Sequence, residues 1–162
     1  MATIRRYTHD DLPTLQAMAG ALHAIVRGFA PELPPPDAIL EDYFAYVLER
    51  VETSNGTIFV AEEADGQLVG HCAVYGQVQP DRDEDPTPFS FIAELYVDPA
   101  GQGGGVGRAL LSAAEAYARA LGSPRIELGV VTGNTPARAF YERLGYAPRM
   151  LIYSKRLDER AG

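Results

Sequence analysis

The stretch Gln102-Gly103-Gly104-Gly105-Val106-Gly107 limits what this 162-residue chain can fold into more than any other segment. An apolar run, Phe91 to Val97, precedes it and is closed by Asp98-Pro99; a helical pattern, Val106 to Leu121, follows it. The order is strand, glycine-rich turn, helix. Glycines there take φ > 0 without strain and let a ligand come close to the backbone. The free N–H groups and the dipole at the helix start then make an anion site, for which a phosphate-bearing cofactor is the natural occupant. Spacing narrows the choice. A nucleotide P-loop needs G-x-x-x-x-G-K-[ST], and no pair of glycines has that spacing with Lys behind it. The dinucleotide pattern G-x-G-x-x-G, read from Gly105 and Gly107, meets Leu110 where its third glycine belongs.

What remains is Gln-x-x-Gly-x-Gly at 102, 105 and 107. A second element, Asn134-x-x-Ala137-x-Ala139-Phe140-Tyr141-x-x-x-Gly145-Tyr146, follows downstream. Together they resemble the GCN5-related N-acetyltransferase (GNAT) family. Its phosphate loop reads [Gln/Arg]-x-x-Gly-x-[Gly/Ala] and its second cofactor motif reads Asn-x-x-Ala-x-x-Phe-Tyr-x-x-x-Gly-[Phe/Tyr]. The resemblance covers roughly residues 57 to 157, while the first fifty match only in pattern. It implies acetyl-coenzyme A as cosubstrate. The pyrophosphate would lie on Gln102, Gly103, Gly104, Gly105, Val106, Gly107 and Arg108. The thioester arm would lie on Leu95, Tyr96, Val97 and Asn134. The chain departs from the family in having no Arg or Lys inside the loop, so phosphate binding would rest on backbone N–H groups, with Arg108 the nearest cation.

The length suits one domain, 1–162, and 46% hydrophobic residues support a full core. No apolar run is long enough to span a membrane, and the start, Met1-Ala2-Thr3-Ile4-Arg5-Arg6, lacks a signal-peptide stretch. A single cysteine excludes an internal disulfide, so a soluble cytoplasmic protein is expected, with Cys72 a small buried hydrophobe. A net charge of −8 argues against nucleic-acid binding. The charge is uneven: residues 1–99 hold 17 acids and 5 bases, net −12, and residues 100–162 hold 5 acids and 9 bases, net +4. The positive part carries the phosphate loop. The negative part would face the acceptor and draw in a cationic amine, or it is ordinary solvated surface.

Periodicity predicts the order β-α-α-β-β-β-α-β-α-β, an α/β fold with a mixed sheet. Thr3–Tyr7 is a strand, followed by a helix capped by Thr8 or Asp10 with Leu12, Leu15, Ala19, Leu22 and Val26 at helical spacing. A break at 29–36 precedes a second helix capped by Asp37. Thr57–Glu63 and Gln67–Val78 form a hairpin about Asp65-Gly66. Strict alternation along 91–97 puts Phe91, Ala93, Leu95 and Val97 on one face and Ile92, Glu94 and Tyr96 on the other. Arg125–Val131 is a strand, Pro136–Leu144 a short helix and Met150–Leu157 a last strand. The two strands flanking the long helix should be parallel, and the resemblance implies that they splay apart to admit the cofactor arm.

Amide formation from a thioester needs an amine freed of its proton. An alkylammonium with a pKa of ~10.4 is almost wholly protonated at neutral pH, so a base is useful. Glu94 is the candidate, a lone carboxylate in an apolar strand whose partial burial would raise its pKa; the plainer reading is a substrate-orienting carboxylate. Tyr141 is the candidate acid for the leaving thiolate. Alone it reads as a core aromatic, and the resemblance gives it the thiolate-facing position. With Pro136 at the first helical position, Thr135 becomes the N-cap and the Asn134 amide is left for a ligand. The resemblance also implies a carbonyl-polarising N–H near Tyr96 and Val97, at a bulge of that strand. His71 shares a face with Tyr75 and would border the acceptor site or be structural. No histidine has metal spacing. The expected function is acetyl transfer from acetyl-coenzyme A to a small cationic amine of polyamine, aminoglycoside or amino-acid type. The alternatives are a protein or peptide amine as acceptor, or a non-catalytic acyl-coenzyme A-binding module. Pairing within the family makes a homodimer the expectation.

Overall fold

The structure is a computed structural model that describes residues 1–158. A five-stranded mixed sheet runs in the spatial order β1-β2-β3-β4-β5, formed by β1 (Thr3–Arg6), β2 (Thr57–Glu62), β3 (Leu68–Val78), β4 (Phe89–Val97) and β5 (Ile126–Leu128). All neighbours are antiparallel except β4 and β5, which are parallel, as a strand-helix-strand crossover requires. Two helices, α1 (Leu12–Phe29) and α2 (Pro36–Thr53), cover one face. Two others, α3 (Val106–Ala120) and α4 (Thr135–Arg143), cover the opposite face. Among the described residues no helix is long and apolar enough to cross a membrane.

Local chemistry sets the helix starts. Thr8 N–H donates to the Asp11 carboxylate at 2.7 Å, making a 3-10 turn at His9–Asp11 that feeds α1. Asp11 also accepts two hydrogen bonds from the Arg5 guanidinium, 2.8 and 3.0 Å. Helix α2 begins one residue before the expected Asp37 cap. Pro36 sits in its first turn, where the missing N–H costs nothing, and Asp37 lies inside that turn. The helices then bury Leu15, Met18 and Ala19 from α1, Phe44, Val47 and Val51 from α2, and Val106, Leu110, Leu111, Ala114 and Ala118 from α3.

Strict alternation fails along β4. Cys72 stands opposite Leu95 and Ala73 opposite Glu94, but Val74 stands opposite Ile92, so Ala93 is an extra residue. This β-bulge shifts the side-chain phase by one. Phe91, Ala93, Glu94 and Tyr96 therefore face α1 and α2, while Ile92, Leu95 and Val97 face α3 and α4. The bulge falls at Ala93–Glu94, not near Tyr96 and Val97, where the ladder to β3 is regular.

Two strand expectations are corrected at the other edge. β5 is confined to Ile126–Leu128, and Met150–Leu157 forms no strand. The parallel pairing runs from Ser90↔Ile126 to Ile92↔Leu128 and stops, while β4 continues to Val97 paired with β3 only. The splay between the two strands is thus present and begins at the bulge.

Candidate active site

The phosphate loop starts where β4 ends. Asp98 Oδ1 accepts from Ala100 N–H at 3.0 Å and holds a 3-10 turn, Pro99–Gly101, against β3. Gly101 is buried there, and a Cβ would meet Val69 at 3.2 Å and Val97 at 3.3 Å. Gln102 donates from its side chain to the Val97 carbonyl at 3.4 Å, tying the loop to the end of β4. Gln102, Gly103, Gly104 and Gly105 are exposed. Gly103 and Gly105 have φ of 83° and 77°, the left-handed region, and a Cβ on either would have nothing within 4 Å. Their glycine character therefore answers to backbone conformation and not to crowding inside the protein.

Buried Val106 anchors the start of α3, and Gly105, as N-cap, offers no side-chain hydrogen bond. The first helical bond runs from Ala109 N–H to the Gly105 carbonyl at 3.0 Å. The N–H groups of Val106, Gly107 and Arg108 therefore point out of the helix end unpaired, as at any uncapped N-terminus. Arg108 is exposed beside them. A Cβ on Gly107 would lie 3.5 Å from Val97 and 3.4 Å from the Phe140 ring, so this glycine lets α3, β4 and α4 converge. Positions 102–108 thus form one donor-rich lip at the end of β4, exposed at 102–105 and Arg108 and anchored by Val106, which suits a diphosphate.

Inside the gap the predicted residues divide between the two faces of the sheet. Leu95, Val97, Phe140 and Tyr141 pack on the α3 side. Tyr141 is half-buried, with its ring edge-on to Phe140 at 5.3 Å and to Tyr146 at 5.8 Å. Burial raises its phenol pKa to about 12. Asn134 is corrected: it is the N-cap of α4, its Oδ1 accepting from Ala137 N–H at 3.2 Å, and Thr135 is the first helical residue. Its amide nitrogen, not its oxygen, is what the cap leaves over.

On the α1–α2 side the bulge carries Glu94 into the protein. Glu94 is 3% exposed, where partial burial was expected. Its Oε2 lies 2.6 Å from Nε2 of His71, which is 1% exposed. His71 Nδ1 and Glu94 Oε1 have no hydrogen-bond partner within the protein. Buried polar atoms are nearly always paired, so two orphans on one contacting pair stand out. Tyr43 from α2 faces the same carboxylate, and burial, then the Glu94 charge, raises its phenol pKa well above that of a free tyrosine. The Tyr96 ring lies tilted beside His71, 6.2 Å between centroids, and borders an open cleft of about 550 Å³ between α1 and the β2–β3 turn. Asp10, Asp98, Thr14 and Gln67 also line that cleft.

The sequence reading did not pair His71 with Glu94 and did not single out Tyr43. The two strand residues are 23 apart, and only the β3–β4 register with its bulge brings them together. A histidine and a glutamate lying inward on successive apolar strands was the available signal.

Comparison with known proteins settles the family. The profile of the acetyltransferase (GNAT) family matches residues 22–146. The chain belongs to the GNAT family. It is 31% identical over 111 residues to the aminoglycoside N(6')-acetyltransferase type 1 of Stenotrophomonas maltophilia, covering 68% of this chain and 71% of that protein. Among solved structures, a putative acetyl transferase from Pyrococcus furiosus superposes with a TM-score of 0.78 at 23% identity, covering 97% of this chain and all of that one. The aminoglycoside acetyltransferase AAC(6')-Iy, in complex with a bisubstrate analogue containing coenzyme A, superposes at 0.68 with 22% identity, covering 96% and 99%. This GNAT protein is an acetyl-coenzyme A-dependent N-acetyltransferase.

Proposed function

We propose that this GNAT enzyme acetylates a small cationic amine, with Glu94, held by His71, as the proton acceptor and Tyr141 as the proton donor. The unpartnered Oε1 of Glu94, at the bulge where β4 and β5 part, carries the reading. Its other oxygen is fixed by His71, so Oε1 has a set direction and one free acceptor site.

The cosubstrate supplies an acetyl group on a thioester. Residues 102–108 would hold its diphosphate through backbone N–H groups, and Leu95, Tyr96 and Val97 would flank its arm. The chain's own residues handle the protons. Glu94 takes one from the incoming ammonium on the α1–α2 face. Tyr141, still a phenol at neutral pH because burial holds its pKa near 12, gives a hydrogen bond or proton to the departing sulfur on the opposite face. Acid and base thus lie on two sides of one gap.

The cationic acceptor is supported by the −12 charge of residues 1–99 and by Asp10 and Asp98 on the cleft that Tyr96 borders. The relative from Stenotrophomonas maltophilia is named for an aminoglycoside acceptor. Thiol release over a panel of aminoglycosides, polyamines, amino acids and peptide N-termini tests the reading. Turnover should favour multiply charged amines and fall as salt rises. Equal turnover of neutral and cationic amines, without a salt effect, would reject the acceptor class, and preferential turnover of peptides would replace it.

A further inference from the structure

Residues 1–99 hold 17 acids and only 5 bases. One of the five, Arg50, makes no hydrogen bond or ion pair among the described residues. Its Nε is buried without a partner, and its terminal nitrogens, equally unpartnered, are accessible. Glu49 and Glu52, its near neighbours on α2, are exposed and do not pair with it. Arg50 lies in the last turn of α2, where a cation meets the negative end of the helix dipole. That accounts for a positive charge there, but not for a half-buried guanidinium whose Nε is shut in without an acceptor.

Aromatic rings hold the group instead. Arg50 Cζ lies 5.1 Å from the centroid of the Tyr75 ring, and that ring is stacked on Phe91 at 6.1 Å and 19°. A guanidinium laid on a ring keeps its fork of N–H donors in one orientation. The stack shares the sheet face of Glu94. Tyr75 is two residues along β3 from Ala73, which stands opposite Glu94, and two residues of strand span about 7 Å. The Tyr75 phenol is within range of both charges: burial, the largest influence, pushes it up to about 12, while Arg50 lowers it and Glu94 raises it. One turn before Arg50 on α2, Tyr46 is 53% exposed, so this end of the face is open to solvent.

We propose that Arg50 is an anion subsite of the acceptor pocket: it takes the carboxylate of an amino-acid acceptor whose amine is presented to Glu94. Among cationic amines this singles out a basic amino acid. The inference deepens the acceptor class proposed above and rests on Glu94 as the proton acceptor. An unpartnered carboxylate oxygen and an unpartnered guanidinium on one face ask for a ligand with both a donor and an acceptor. Polyamines and simple aminoglycosides carry no anion for Arg50. A carboxylate suits it better than a phosphate. Its two oxygens match one guanidinium fork, and the helix end behind Arg50 disfavours a dianion. A second amine keeps such an acceptor net cationic, in accord with the acidic charge of residues 1–99.

The test compares lysine, lysine amide and 1,5-diaminopentane by thiol release. In the wild type kcat/KM for lysine should exceed that for either carboxylate-free amine by about 10- to 100-fold, the size of a charge-assisted hydrogen bond. Arg50→Met keeps an apolar stem on Tyr75 and removes the fork, so the ratio should fall to near one, chiefly through a higher KM for lysine, with circular dichroism retained. Arg50→Lys restores the charge without the fork and should give an intermediate ratio. Lysine no better than its amide in the wild type, or a ratio that survives in Arg50→Met, would overturn the subsite. A second readout is independent of turnover. The Arg50 Nε–H resonance, assigned by its loss in Arg50→Met, should shift on titration with lysine and not with 1,5-diaminopentane; no shift with lysine would overturn the proposal in an active or an inactive enzyme. If lysine moves that resonance while no amine is acetylated, the subsite stands and the failure lies with Glu94 as proton acceptor.

Discussion

Replacing Gly105 by Ala tests the phosphate loop through backbone conformation alone. Gly105 has φ 77° and ψ 9°, a region that costs a residue with a Cβ roughly 1–2 kcal/mol. The added methyl meets nothing within 4 Å, so no packing term enters. How that energy divides between folding and binding follows from exposure. The loop at 102–105 lies in solvent, so without ligand it relaxes to a conformation that Ala tolerates. Stability should then hardly change. Binding must restore the left-handed turn, and the full 1–2 kcal/mol should appear as a Kd for acetyl-coenzyme A about 5–30-fold weaker. Gly104→Ala is the control. Gly104 is not in the left-handed region, and its added Cβ would meet only the Gly101 carbonyl, at 3.8 Å. Its Kd should stay within about twofold, less than 0.5 kcal/mol. Calorimetric titration at fixed ionic strength measures both, with thermal melts beside them. Equal weakening in the two variants would show that crowding of the ligand, and not backbone conformation, governs the loop. Wild-type binding in Gly105→Ala would refute the reasoning outright.

Glu94→Gln should lower kcat by about 10²–10⁴-fold while leaving acetyl-coenzyme A binding near the wild-type level; a loss confined to binding would remove the proton-acceptor role. Tyr141→Phe should lower turnover by up to about 10²-fold with a small change in Kd, which single-turnover kinetics and titration separate. Gly76→Ala would put a Cβ 2.1 Å from the Asn55 carbonyl oxygen, and chemical denaturation should show a loss at the upper end of about 1–3 kcal/mol. The Arg5 guanidinium holds the Asp11 carboxyl at about 2, below its ordinary 3.8. A depressed pKa contributes stability that is complete above pH ~4 and disappears as pH falls toward 2. Asp11→Asn should therefore flatten the acid limb of the stability profile by at most about 2 kcal/mol, and an unchanged limb would remove this pair from acid unfolding.

Patterns carried by neighbouring residues were readable before any fold was known. The glycine turn between an apolar strand and an amphipathic helix announces an anion site because left-handed glycines and unpaired helix N–H groups are local properties. The loop residues 102–108 accordingly lie together in the structure, and helical spacing found the side of α1 and α2 that packs on the sheet, burying Leu15, Ala19, Val47 and Val51, while Leu22 and Val26 stay half-buried. The splay was legible through the resemblance and not through periodicity. Misreadings arose where long-range contacts decide. Pro136 argued for Thr135 as the cap, but Asn134 Oδ1 reaches Ala137 N–H. Met150–Leu157 has the composition of a strand, yet no strand forms there.

The chain's local order thus settled the number of helices, the crossover and the glycine turn ahead of α3, since each depends on residues within a few turns of one another, while the acid candidate Tyr141 came from the resemblance. The tertiary structure alone set the surroundings of Glu94. One extra residue in β4, Ala93, rotates Glu94 toward α2, buries it, pairs it with His71 and leaves a single oxygen unpartnered. Strand register reflects the packing of both sheet faces at once, and a side-chain period of two carries no mark of where one residue will be left over.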